Sequence, residues 1–180
     1  MKILAALTWG ALLLASTFAL AYALPGDRFS DAKAAARAKG FAIRCPISEM
    51  SGAPFCTATG KVAGRKFFYN FSDDAGHVNY EESLTYDAPG FSFLSQPDPR
   101  IRVLLSAVFS DAVAQDFASA KLAAKVPVYQ SKAHAAFLRG KRFGYATGGN
   151  GANGVTLFRA SDLAQEIATA RKCATMECGD

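Results

Sequence analysis

The sequence predicts an α+β protein in which an antiparallel β-sheet, built from a meander and a second hairpin, packs against helices and is stapled by disulfides. Two observations predict the sheet: polarity alternates over 67–71 and 78–86, and two more strand-like runs lie at 142–147 and 155–158. The third observation is a set of alanine-rich segments that open with Ser-Asp, which is typical of helix starts. Alternating strands need cover on one face, so we expect the helices to pack there.

The composition is that of a folded globular protein. The chain has 180 residues, of which 51% are hydrophobic and 19% charged, with a net charge of +5. These values exclude a disordered, collagen-like or polytopic membrane protein. The length favours one domain, which we expect to span residues 24–180.

Residues 1–23 have the pattern of a secretory signal peptide. Lys2 precedes an apolar run, and Ala21 and Ala23 are the small residues of an A-x-A cleavage site. An uncleaved membrane anchor is the alternative, because the run approaches the roughly 20 residues that span a bilayer. We expect cleavage near Ala23 and export to the periplasm or the medium.

The helices are predicted in three regions. The first spans Ser30 to Lys39, and the last begins at Asp162. Residues 99–125 fit either one long helix or a strand followed by a helix, and the apolar spacing favours the long helix, which Pro127 would terminate. The segments at 110–121 and 161–172 are similar, which indicates either capped alanine-rich helices or an ancient duplication.

The sheet is predicted mainly within residues 41–86. Residues 55–62 form one strand, and 67–71 and 78–86 form a hairpin around the turn residues 73–76. A second hairpin joins 142–147 to 155–158.

The connection of that second hairpin matches a cofactor-binding pattern in sequence only. Gly149 to Gly154 matches the G-x-G-x-x-G pattern of dinucleotide-binding proteins. The pattern must open a helix, whereas a strand-like run follows here and no acidic residue lies about 20 positions further on. The segment is therefore interpreted as a Gly/Asn hairpin loop, and we expect no cofactor.

Four cysteines in an exported chain predict two disulfides. Three pairings are open, and short-loop closure favours Cys45 with Cys56 and Cys173 with Cys178. Their spacing contains no C-x-x-C, so we expect neither a zinc site nor a thioredoxin-like motif.

Candidate catalytic residues are few. His77 follows Asp73 and Asp74, so a histidine and a carboxylate could cooperate in acid/base chemistry. Alternation places Glu82 on the core face, where a carboxylate needs a partner or a raised pKa. His134 is predicted on a short helix, without a functional partner. No metal-binding or nucleophile motif accompanies them.

Basic residues cluster at Arg139, Lys141 and Arg142. Such a cluster favours contact with an acidic envelope partner or an anionic surface. We expect no nucleic acid, because export separates the chain from it. The leading hypothesis is an exported cell-envelope binding or accessory protein without catalytic activity. The alternative is a small secreted hydrolase that uses His77 with nearby carboxylates.

Overall fold

The computed structural model describes residues 24–78, 82–86, 99–148 and 154–175. The predicted signal segment 1–23, most of the predicted Gly/Asn loop and Cys178 lie outside these residues. Among the described residues, no helix has the length and apolarity needed to cross a membrane.

Four helices and nine strands make up the described fold. The helices are α1 (Phe29–Ala38), α2 (Pro99–Val108), α3 (Asp111–Ser119) and α4 (Leu163–Cys173). The strands are β1 (Ala42–Arg44), β2 (Phe55–Val62), β3 (Arg65–Asp74), β4 (His77–Val78), β5 (Glu82–Tyr86), β6 (Lys121–Pro127), β7 (His134–Arg139), β8 (Phe143–Gly148) and β9 (Gly154–Arg159).

The strands form one antiparallel sheet in the order β1-β2-β3-β5-β9-β8-β7-β6, with the short β4 paired to β3. It consists of two four-stranded halves, joined where β5 pairs with β9. The predicted α+β class with an antiparallel sheet is confirmed. The second half contributes as many strands as the first, so the expectation of a sheet built mainly from residues 41–86 is wrong.

The predicted hairpins are confirmed. β3 pairs with β4 and β5, and β8 pairs with β9. The turn from β3 to β4 consists of Ala75 and Gly76, both with positive φ angles of 50° and 86°. Two such residues form the type I′ turn whose twist matches a tight hairpin.

The long helix predicted from Pro99 to Lys125 is wrong. The chain forms α2 and α3 instead and then enters β6. Ser110 separates the helices: its extended backbone starts α3, and its side chain accepts a hydrogen bond from the Val113 N–H at 3.3 Å. The other predicted serine caps do not form, since α1 begins at Phe29 and α4 has no side-chain cap.

Lys39 holds the C-terminal end of α2. Its ammonium donates to the carbonyls of Ala107, Val108 and Phe109 at 3.0, 2.7 and 3.1 Å. A cation there binds otherwise unpaired carbonyls and suits the negative end of the helix dipole. Partial burial lowers the pKa of Lys39. This contact from α1 helps to fix the end of α2.

The short helix predicted around His134 is also wrong. His134 begins β7, which lies between β6 and β8 and pairs with both. The alanines and lysines of β6 and β7 favour helix in isolation, but two ladders of backbone hydrogen bonds and side-chain burial outweigh that preference.

Helices cover both faces of the sheet, which corrects the expectation of one covered face. Leu157 packs in the core cluster with residues of α1, α2 and α3, whereas its neighbour Phe158 packs with Leu163 and Ile167 of α4. Successive strand residues point to opposite faces, so α4 lies on the other side of the sheet. We call the face under α1, α2 and α3 the inner face and the opposite one the outer face.

Replacing Lys39 with methionine should lower the free energy of unfolding by about 1–2 kcal/mol, because three carbonyls lose a charged donor that is only partly buried. Urea denaturation measures the change. Lys125→Met, at an exposed position of β6, is the control and should change stability much less. Equal stability of the two variants would contradict the capping role of Lys39.

Candidate functional site

Asp116 is a charged residue in the protein interior. It lies in α3 and is only 7% exposed. A carboxylate at such a position is costly unless hydrogen-bond donors surround it. The donors come from the turn between β7 and β8, which α3 faces across the inner side of the sheet.

Four donors surround the Asp116 carboxylate. Oδ1 accepts from the backbone N–H groups of Lys141 and Arg142 at 2.8 and 3.1 Å. Oδ2 accepts from the Phe143 N–H at 3.3 Å and from the Tyr145 hydroxyl at 2.9 Å. The carboxylate therefore fixes the turn through three backbone N–H groups, and these groups and the Tyr145 hydroxyl surround it with donors.

Gly140 and Tyr145 complete this arrangement. A Cβ atom on Gly140 would lie 2.2 Å from Asp116 Oδ2, so only glycine lets the carboxylate approach. Burial raises the pKa of Tyr145, and the neighbouring charge and hydrogen bond of Asp116 raise it further. The tyrosine hydroxyl therefore stays protonated and serves as a permanent donor to Asp116.

The same turn carries the predicted binding residues. Arg139, Lys141 and Arg142 are all exposed, and Lys121 pairs with Arg139 across β6 and β7. The Arg142 guanidinium lies 5.5 Å from the centre of the Phe143 ring. Like charges on directly opposed strand positions repel one another. We call Lys121, Arg139, Lys141 and Arg142 the basic turn. Their charges are concentrated at one end of the sheet.

The predicted catalytic residues do not join this site. His77 is exposed and lies opposite Asp74 in the β3–β4 ladder. Its backbone also forms a β-bridge with Arg28. Glu82 begins β5, where it lies opposite Leu157. The Asp73 carboxylate accepts a hydrogen bond from the Gly76 N–H at 2.7 Å, which stabilises the turn.

Two concavities in the described part of the chain are lined by other residues. A groove of about 670 Å³ runs between α2 and α3 and includes Arg102, Ser106 and Asp111. Ser106 and Asp111 are hydrogen-bonded to each other within it. A pocket of about 330 Å³ lies beside Lys61 and Lys66 on β2 and β3. No group of three metal-ligating side chains lies together within the described ranges.

The predicted disulfide between Cys45 and Cys56 is confirmed, with an S–S distance of 1.97 Å. It joins the end of β1 to the start of β2. Cys173 is also disulfide-bonded. The predicted pairing of Cys173 with Cys178 lies outside the described residues.

Comparison with protein-family models, with curated proteins and with solved structures gave no match to this chain.

Sequence reasoning found the basic residues of the turn but missed Asp116, the residue that organises them. Asp116 lies among alanines and apolar residues of α3, where its spacing could have marked a carboxylate on the buried face. Its partners lie 25 to 29 residues further along the chain, so no local pattern connects them.

Replacing Asp116 with asparagine should lower the free energy of unfolding by about 2–4 kcal/mol. The amide supplies one oxygen and brings an NH₂ group among donors, so at least one turn N–H loses its acceptor. Urea denaturation tests this, with the exposed Asp74→Asn variant as control. A loss for Asp116→Asn no larger than that of the control would contradict the role given to Asp116.

Proposed function

We propose that this chain is an exported cell-envelope protein, periplasmic or secreted, that binds an acidic partner or anionic surface and carries out no catalysis. The observation that carries this proposal is the way Asp116 fixes the basic turn. Its carboxylate uses backbone N–H groups, so it leaves the charges of Arg139, Lys141 and Arg142 directed to solvent. A preorganised cationic turn favours anionic ligands at low entropic cost.

The start of the described fold supports export. The Leu24 N–H donates to Asp27 Oδ2 at 3.0 Å. Burial raises the pKa of Asp27, and this hydrogen bond opposes the rise. Cleavage after Ala23 would turn the Leu24 nitrogen into an α-ammonium at the same carboxylate. The folded chain thus has an acceptor positioned for an N-terminus created at Leu24. The Cys45–Cys56 disulfide is consistent with an oxidising compartment.

The position of His77 favours binding over the hydrolase alternative. It is exposed beside a tight turn, whereas a general base works from a cleft in which substrate is held. Loss of a hydrolytic activity in His77→Ala, with stability unchanged, would favour the hydrolase.

We predict that the chain binds anionic vesicles at low salt. Co-sedimentation with phosphatidylglycerol vesicles should exceed that with phosphatidylcholine vesicles. Replacing Arg139, Lys141 and Arg142 together with glutamine should weaken the binding at least about tenfold, since each basic residue near an anionic surface contributes about 1 kcal/mol.

A control variant with the same loss of charge separates a local site from net charge. Arg102, Lys125 and Lys132 are exposed residues outside the basic turn. Their joint replacement with glutamine should leave most of the vesicle binding intact. Equal loss in both triple variants, or no preference for anionic vesicles, would refute the proposed role of the turn.

We also predict that Asp27 stabilises the processed chain more than an unprocessed one. Asp27→Asn should cost about 1 kcal/mol more in a chain that begins at Leu24 than in one that retains residues 21–23. Asp27 raises the pKa of the new ammonium. The extra stability is therefore full below the unfolded α-amino pKa of about 7.7–8.0 and is lost as pH rises through the folded value. Urea denaturation of the four proteins at pH 6 and pH 10 measures it; equal costs at pH 6 would contradict the pairing.

A further inference from the structure

The outer face of the sheet is covered unequally. α4 packs over the second half, where Phe137 and Phe158 are buried beneath it. On β2 and β3, Phe55 and Phe68 instead remain 41% and 40% exposed. Aromatic rings left exposed on a sheet face offer contact area to a ligand.

Two lysines lie at one end of this exposed face. Lys61 and Lys66 occupy directly opposed positions in the β2–β3 ladder, and both are exposed. The adjacent rows of the ladder pair Gly60 with Phe67 and Val62 with Arg65, and the next row on the same face pairs Thr59 with Phe68, so these rows contain no acidic residue. Directly opposed like charges cost stability. An anion bound between the two ammonium groups would remove that cost.

A pocket joins the lysines to the aromatic ring. It has a volume of about 330 Å³ and is lined by Thr59, Gly60, Lys61, Lys66, Phe67 and Phe68. Gly60 cannot be replaced easily, because a Cβ atom there would lie 2.8 Å from the Phe67 ring and 2.9 Å from the Phe41 ring. The volume is at the low end of the range for small-molecule sites, which suits a single ring with its substituents.

The surface next to the pocket offers hydrogen-bonding groups. Ladder pairing aligns Arg44, Thr57 and Asn70 in one row across β1, β2 and β3. The Thr57 hydroxyl donates to the Asn70 side-chain oxygen at 2.9 Å, which orients both side chains. Such a row suits a ligand rich in hydroxyl groups, whereas a lipid surface would meet polar side chains in place of a continuous apolar patch.

We propose that the outer face of β2 and β3 is a second binding site, in which Lys61, Lys66 and Phe68 take an acidic sugar unit of a polysaccharide. The two ammonium groups bind its carboxylate, and the Phe68 ring packs against the apolar C–H face of the sugar. Thr57, Thr59 and Asn70 are in reach of the hydroxyl groups of this and adjoining units. The proposal rests on the proposed function only in that an exported protein meets envelope polymers.

This site is separate from the basic turn. Lys66 lies at the start of β3. Because β3 pairs antiparallel with β5, and β5 with β9, the end of β5 and the start of β9 lie at this end of the sheet, together with the end of β8. The β7–β8 turn therefore lies at the opposite end. Variants of the two sites can be tested independently.

Titration calorimetry of the protein expressed from the full sequence tests the site, with galacturonic acid oligosaccharide as probe. The neutral galactose oligosaccharide of equal length should bind at least tenfold more weakly. Lys61→Gln with Lys66→Gln should weaken binding of the acidic sugar at least tenfold. Arg102→Gln with Lys125→Gln, which removes the same charge elsewhere, should change it less than twofold.

A second variant tests the role of the ring. Phe68→Leu should weaken binding of the acidic sugar at least threefold, yet leave binding of tripolyphosphate, an anion without a ring, unchanged. Circular dichroism and urea denaturation check that each variant folds. Equal affinity for the acidic and neutral sugars, or equal losses in the two double variants, would overturn the site.

The second site and the proposed function can fail independently in these experiments. If Lys61→Gln with Lys66→Gln leaves sugar binding intact while the triple variant of the basic turn loses vesicle binding, the second site is wrong and the proposed function stands. A single-stranded oligonucleotide of matched charge is a further probe. If it binds more tightly than the acidic sugar and Phe68→Leu loses that binding, the ligand is a nucleic acid and the sugar proposal is wrong.

Discussion

The Asp116 carboxylate is the interaction on which the second half of the sheet depends. One side chain from α3 accepts three backbone N–H groups from the β7–β8 turn and the hydroxyl of Tyr145. It thereby sets where β8 begins, holds α3 against the sheet, and requires glycine at position 140. A buried charge of this kind is retained only with its full set of donors, so helix, turn and strand must form together.

A second long-range contact joins α1 to α2. Lys39, at the end of α1, binds the carbonyls at the end of α2, next to the Ser110 cap that starts α3. The order of elements repeats, since α1 precedes the four strands of the first half and α3 the four strands of the second. In chain order α2 follows the first half as α4 follows the second, but α2 packs on the inner face and α4 on the outer face. The similar segments 110–121 and 161–172 contain α3 and α4, which lie on opposite faces of the sheet.

Local chemistry made part of the fold predictable. Alternation and turn residues located β2, β3, β5, β8 and β9, and short-loop closure selected the Cys45–Cys56 disulfide. The β6 and β7 strands were missed because their alanines and lysines favour helix until the neighbouring strands are present, β7 for β6 and both β6 and β8 for β7. The basic residues of the turn were visible as a cluster. Asp116 and Lys39 were not, because each acts on groups at least 25 residues away.

Hydrogen exchange of individual backbone amides tests the role of Asp116 most directly. In the wild-type protein, the amides of Lys141, Arg142 and Phe143 should exchange as slowly as neighbouring strand amides, although Lys141 and Arg142 are exposed turn residues. In Asp116→Asn their protection should fall at least tenfold, while the β2–β3 ladder keeps its protection. Fast exchange of these three amides in the wild type, or unchanged protection in the variant, would contradict a turn held by this carboxylate.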